Sequence, residues 1–270
     1  MAPRVALSPL LDAYDHVLLD LDGCVWIGGQ PTPRAPEAIA ELRASGRRIA
    51  FVTNDARHGS EDLVRLLWAG GIQASIEEVV GAGAALQHLL AEGFPGALAV
   101  VIGSVAVHRH VLDAGLRIVN RTPRVTEAGI AVVSVHDRFD YDELREAAAA
   151  VLAGATLIGI ARDPNFPQAD GLWPGSGSLL AAVEVASGAT AEIIVGKPHR
   201  PLFATALDRL GPGRALMIGD RVAIDVAGAQ AAGIDGALVL SGGDDRAALT
   251  AWTGEPPVAV ATTLAELVLA

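Results

Sequence analysis

His16-Val17-Leu18-Leu19-Asp20-Leu21-Asp22-Gly23 is a short apolar run that turns acidic at its end and stops at a glycine. Such a run, bounded by a turn signal, reads as a buried strand. Asp20 and Asp22 lie two apart, so an extended backbone would show both on one face. Gly23 is placed to bend the chain and let both carboxylates reach a common space. Downstream, a helix is expected over 35–45, closed by Gly46, and a strand over 48–52 that runs into Thr53-Asn54-Asp55. Another helix over 60–69 opens on Ser60-Glu61-Asp62 and stops at Gly70-Gly71. Alternation of strand and helix argues for a parallel sheet covered on both faces.

The middle of the chain has a different rhythm. Strands are expected over 97–102, 116–119 and 130–135. A helix over 141–152 carries a capping box of Asp140 and Glu143. Residues 162–175 hold too many breakers for regular structure, and their charges, amide and aromatics suit a functional loop. The first rhythm then returns: helix 178–186, strand 193–195, helix 202–210, strand 215–218, helix 226–232, strand 236–240 and helix 264–269. The expected architecture is α/β. A Rossmann-like parallel-sheet core is built from residues 1–81 and 186–270, with residues 82–185 inserted as a second α/β domain.

Lysine occurs once, at Lys197, against 19 arginines. An ammonium is a compact point charge on a flexible stem, whereas guanidinium is a wide planar fork. A tight anion pocket would select the former, and Val195-Gly196-Lys197-Pro198 reads as a strand delivering a side chain into a loop. A further strand ends in Gly219-Asp220-Arg221, with Asp225 close behind. Ligands of open α/β sheets bind at the carboxyl ends of strands, so these distant segments are expected to share one pocket. Asp20, Asp22, Asp220 and Asp225 suit a hard cation such as Mg²⁺, and no His/Cys spacing resembles a zinc site. In such a pocket a carboxylate can attack phosphorus and a second carboxyl can protonate the leaving oxygen. A hydroxyl, backbone N–H groups and one lysine can hold the remaining oxygens.

Asp20-Leu21-Asp22-Gly23-Cys24-Val25, Val52-Thr53-Asn54, Gly196-Lys197-Pro198 and Gly219-Asp220-Arg221 through Asp225 resemble, in order and spacing, the four motifs of the haloacid dehalogenase superfamily. The stretch 20–29 followed by Pro31, and the loop 162–177, resemble its NagD-like, class IIA branch with a C2-type cap. The resemblance implies a Mg²⁺-dependent phosphomonoester hydrolase acting on a small phosphorylated metabolite through an aspartyl-phosphate. Asp20 would be nucleophile and metal ligand, and Asp22 the general acid/base, lending the metal its backbone carbonyl. Thr53, the backbone of Asn54 and Lys197 would bind phosphate. Asp220 would bind Mg²⁺, and Asp225 would hold metal waters or Lys197. A homodimer through the cap is also implied. The alternatives are a catalytically silent or a signalling phospho-accepting protein of the same fold.

Arg162 and Asn165, in the cap loop, are candidates for substrate contacts. Trp173 and Phe166 are open to two readings, substrate contact or cap packing. Cys24 reads as a buried small hydrophobe, and His108 and His110 as an exposed cap helix rather than a metal pair. Formal charge is −11 with no long basic run, which disfavours nucleic acid or an anionic membrane as partner. No membrane span or signal peptide is apparent, and one cysteine precludes an internal disulfide. A cytoplasmic location is expected.

Overall fold

The computed structural model describes residues 6–168 and 171–270, with the side chains of residues 166–168, 171 and 172 left aside. In chain order the first strands are β1 (His16–Asp20), β2 (Trp26–Ile27), β3 (Gln30–Pro31), β4 (Arg48–Thr53) and β5 (Val79–Gly81). Next come β6 (Leu98–Ile102), β7 (Arg117–Ile118), β8 (Ile130–Val133), β9 (Thr156–Gly159), β10 (Asn165–Gln168), β11 (Gly171–Pro174) and β12 (Ile193–Ile194). The last are β13 (Ala215–Gly219), β14 (Asp235–Val239) and β15 (Val260–Ala261). The chain divides into two compact units. One holds residues 1–53, 60–80 and 197–270, the other 54–59 and 81–196.

The first unit carries a six-stranded sheet in the order β15-β14-β13-β1-β4-β5. β1 pairs in parallel with β13 on one side and β4 on the other. All five residues of β1 and all five of β13 are buried, as a sheet covered on both faces requires. From β1 the chain builds outward in both directions, so the carboxyl end of β1 is a topological switch point, where such sheets open a crevice. Asp20, Thr53 and Gly219-Asp220 stand at the three adjacent strand ends there. Leu19, Leu21, Val25, Phe51 and Ile218 belong to the buried cluster on which these ends rest.

The second unit carries a parallel five-stranded sheet, β12-β9-β8-β6-β7. Its core is Val100, Ile102, Ala131, Val133, Leu157 and Leu180 with their neighbours. The expected helix with its capping box spans Tyr141–Leu152, and both reciprocal bonds of Asp140 and Glu143 are present.

Three expectations are corrected. The strand before Lys197 pairs with β9 in the second sheet, not with the sheet that holds Asp20. Accordingly the helix Ser176–Ser187 and β12 fall in the second unit, which runs to residue 196 and not to about 185. Residues 165–168 and 171–174 are not irregular: β10 and β11 pair antiparallel, with Asn165 facing Pro174. Trp173 is partly exposed at 39%, and the side chain of Phe166 lies outside the described residues.

Candidate active site

The ammonium of Lys197 stands 2.5 Å from Asp20 Oδ1 and 2.7 Å from Asp225 Oδ1, and all three side chains are buried. Nζ also lies 3.4 Å from the Val52 carbonyl, at the end of β4. Burial alone would lower the lysine pKa. The Asp20 and Asp225 carboxylates overcome that and hold the pKa well above its ordinary value, so Lys197 is a permanent cation. Among the described residues, one carboxylate oxygen each from Asp20, Asp220 and Asp225 lies within 4.8 Å of the others. Three buried carboxylates thus face a single ammonium.

That imbalance appears in the titration of the acids. Burial pushes the Asp20 carboxyl well above the usual range; Lys197 opposes this, and Asp225 and Asp220 add to it. Burial, then Asp225, also raises Asp220, against the pull of the Gly243 N–H, Lys197 and Arg221. Buried oxygen donors with excess negative charge fit a hard divalent cation, which would return them to the ionised form.

Local backbone chemistry builds this cluster. Asp225 Oδ2 accepts the N–H groups of Asp220 (3.1 Å) and Arg221 (3.0 Å), fixing the chain as it leaves β13. A Cβ at Gly219 would overlap the Asp225 carboxylate, and one at Gly23, where φ is +87°, would overlap Asp220 Oδ2. Both glycines of the sequence motifs are therefore required by close approach.

The loop after β14 was not flagged by sequence reasoning. Gly243 N–H donates to Asp220 Oδ2, and Ser241 Oγ donates to the Gly23 carbonyl at 2.6 Å. Asp244 Oδ2 accepts the Val222 N–H at 2.7 Å. The available signal was Ser241-Gly242-Gly243-Asp244 closing one more strand of the same sheet.

Asp22 is exposed, two residues past the end of β1. Its Oδ1 accepts the indole N–H of Trp26 at 2.9 Å, a contact also absent from the sequence reading. Thr53 is buried at the end of β4. Asn54 belongs to the second unit, where its amide donates to Asp163 Oδ2 at 3.4 Å.

Arg162 forms an ion pair with Glu184 at 2.8 Å, inside the second unit. Asn165 is exposed on β10. Cys24 is fully buried, and burial pushes its thiol well above the ordinary range. It is a poor nucleophile there, as expected of a packing residue. His108 and His110 are half-buried rather than exposed. They bond separately, to the Ser104 carbonyl and to Gln87 Oε1.

Two family models match the chain: "Haloacid dehalogenase-like hydrolase" over residues 17–117 and a second HAD-like hydrolase model over 194–267. D-glycerol 3-phosphate phosphatase of Mycobacterium tuberculosis is 35% identical over 237 residues, covering 87% of this chain and 65% of that protein. The chain therefore spans just under two thirds of that relative's length. Human Chronophin is 32% identical over 256 residues, 88% of this chain and 84% of the relative. The crystal structure of glycerol phosphate phosphatase from Mycobacterium tuberculosis in complex with magnesium superimposes with a TM-score of 0.89. It is 33% identical, over 97% of this chain and 79% of that one.

Proposed function

We propose that this chain, which belongs to the haloacid dehalogenase-like hydrolase family in its NagD-like, class IIA branch, is a metal-dependent phosphomonoesterase acting on a small phosphorylated metabolite. The observation that carries this reading is the buried contact of Lys197 with Asp20 and Asp225 beside a third carboxylate. Asp20, Asp220 and Asp225, with the backbone carbonyl of Asp22, would hold a divalent cation such as Mg²⁺. When bound, that ion neutralises charge where a phosphate dianion must meet a carboxylate.

The chain's own residues account for the chemistry. Asp20, kept ionised, attacks phosphorus, and the bond from phosphorus to the ester oxygen breaks. Asp22 gives its proton to that oxygen, and the alcohol leaves. Asp22, now a carboxylate, takes a proton from water as the water oxygen attacks phosphorus and the bond to Asp20 breaks. The products are alcohol and inorganic phosphate. Lys197, the Thr53 hydroxyl and the Asn54 backbone hold the non-bridging oxygens as charge shifts among them.

Glycerol phosphate and sugar phosphates are the first substrates to test. One relative is named D-glycerol 3-phosphate phosphatase, and another, from Bacillus subtilis, Sugar-phosphatase AraL. No helix among the described residues is long and apolar enough to cross a membrane. A cytoplasmic location, a homodimer through the second unit and cap-loop substrate contacts from Arg162 and Asn165 belong to the same proposal. Light scattering of the purified protein tests the dimer.

The functional test is phosphate release. Protein with Mg²⁺ should hydrolyse p-nitrophenyl phosphate, and a panel of metabolite esters ranked by kcat/KM should identify the substrate. Asp20→Asn should abolish release, and full activity in that variant would refute the assigned nucleophile.

A further inference from the structure

Asp22 is an exposed carboxylate, and the residue whose indole N–H meets it is buried. Trp26 is 5% exposed and belongs to the main core cluster. Its backbone and its ring both return to the segment that carries Asp22. The Leu21 carbonyl accepts the N–H groups of Cys24 (3.3 Å), Val25 (3.0 Å) and Trp26 (3.0 Å). Gly23 N–H donates to the Trp26 carbonyl at 2.7 Å. Thr32 clamps the loop from the far side, with Oγ1 donating to the Cys24 carbonyl at 2.8 Å and its N–H donating to that of Val25 at 2.9 Å. The ring that meets Asp22 is therefore locked by packing and by backbone bonds on both flanks.

We propose that Trp26 is a positioning residue for proton transfer, holding Asp22 Oδ1 as an acceptor so that Oδ2 is the oxygen that carries and delivers the proton. This rests on the phosphomonoesterase reading above. An indole N–H can only donate. The oxygen it meets must therefore accept, both when Asp22 is a carboxylate and when it is a carboxylic acid. In the acid form the carbonyl-like oxygen is the better acceptor, so the 2.9 Å contact favours hydrogen on Oδ2. As the ester bond breaks, the proton passes from Oδ2 to the leaving oxygen, whose electron pair comes from the broken bond to phosphorus. Asp22 is left as a carboxylate with Oδ1 still held. Removing the indole N–H takes away one contact that holds this exposed carboxyl, so the choice between its two oxygens is less firmly set.

Dependence on leaving-group basicity separates this role from a structural one. A weakly basic p-nitrophenolate leaves without a proton, whereas a phenolate or an alkoxide needs one. The test is steady-state kcat/KM, which reports the steps through cleavage of the ester bond and not the later attack of water, for the whole protein with Mg²⁺ on p-nitrophenyl, p-chlorophenyl, phenyl and p-methoxyphenyl phosphate. Trp26→Phe keeps an aromatic ring and removes the N–H. It should lower kcat/KM for the phenyl ester at least about fivefold more than for the nitrophenyl ester. The dependence on leaving-group basicity should steepen towards that of Asp22→Asn. Equal loss across the series, or an unchanged slope, would overturn the proposal. Should Trp26→Phe melt well below the parent, benzothienylalanine at position 26, which keeps the bicyclic shape and lacks the N–H, must give the steepened slope or the idea fails. A parent protein that releases no phosphate from any ester would instead sink the phosphomonoesterase reading.

Discussion

Replacing Lys197 with methionine keeps most of the side-chain volume and removes the ammonium that pairs with two of the three buried carboxylates. The energy at stake can be worked from the contacts. At 2.5 and 2.7 Å, each attraction is about 6 kcal/mol at an effective dielectric of about 20. The cost of burying the ions takes back several kcal/mol of that. Removal of one partner of a buried pair typically costs about 3–5 kcal/mol, because the remaining charge is stranded. For a unit of this size about 2–4 °C of melting temperature goes with each kcal/mol. Lys197→Met should therefore melt about 6–20 °C below the parent in Mg²⁺-free buffer. A divalent cation binds the same carboxylates, so Mg²⁺ at about 100 times its Kd should restore about 2.7 kcal/mol. The gap should thus narrow when metal is added. Phosphatase activity should stay at least about 100-fold down even then if, as proposed, the ammonium is a donor to the phosphate oxygens. Thermal melts with and without MgCl₂, beside phosphate release, read all three effects. A variant that melts with the parent without metal and turns over at more than about a tenth of its rate would refute the electrostatic argument.

Gly23→Ala or Gly242→Ala should displace the Asp220 carboxylate, because each added Cβ overlaps Oδ2. Calorimetric titration should show Mg²⁺ affinity falling about 10–100-fold. Cys24→Ala should retain parental turnover and cost about 1 kcal/mol of stability. Native protein should resist iodoacetamide at pH 8, because its thiol is buried with a raised pKa. Asp55 is held down to about 2, since His58 and Arg57 outweigh the effect of burial. A depressed acid stabilises the fold above its unfolded pKa of 3.8 and loses that contribution as pH falls towards 2. Unfolding measured across that window should show up to about 2 kcal/mol draining away, and Asp55→Asn should flatten the loss.

Much of the site could be read from residue order because it depends on strand ends. Asp20 and Asp220 close apolar runs of the length a doubly covered sheet demands, and the two strands are neighbours. The single lysine betrayed itself by composition. Its route was misread, since an apolar run does not say which of two parallel sheets it joins, and β12 pairs with β9. The helix Ala82–Gly93 is dominated by alanine, leucine and glycine and carries little polar periodicity. β9 has only four residues and ends in a glycine, which weakens its pattern as a strand. The pair β10–β11 hid behind Pro167 and Pro174, which remain compatible with a two-stranded edge. Arg162 looked available for substrate until folding brought Glu184 to it from 22 residues away. The bend at Gly23 is legible, but the return of the Trp26 indole to Asp22 depends on how the ring packs, which residue spacing does not encode.

During turnover the side chain of Asp20 should become bonded to phosphorus. The most direct test is to quench the protein in acid within milliseconds of mixing with ester and Mg²⁺, reduce with borohydride, and map the peptides by mass spectrometry. Residue 20 should be converted to homoserine, in proportion to the ester present at the quench. Phosphate released in a rapid burst with residue 20 unmodified, or with the reduced carboxyl found at another aspartate, would contradict it.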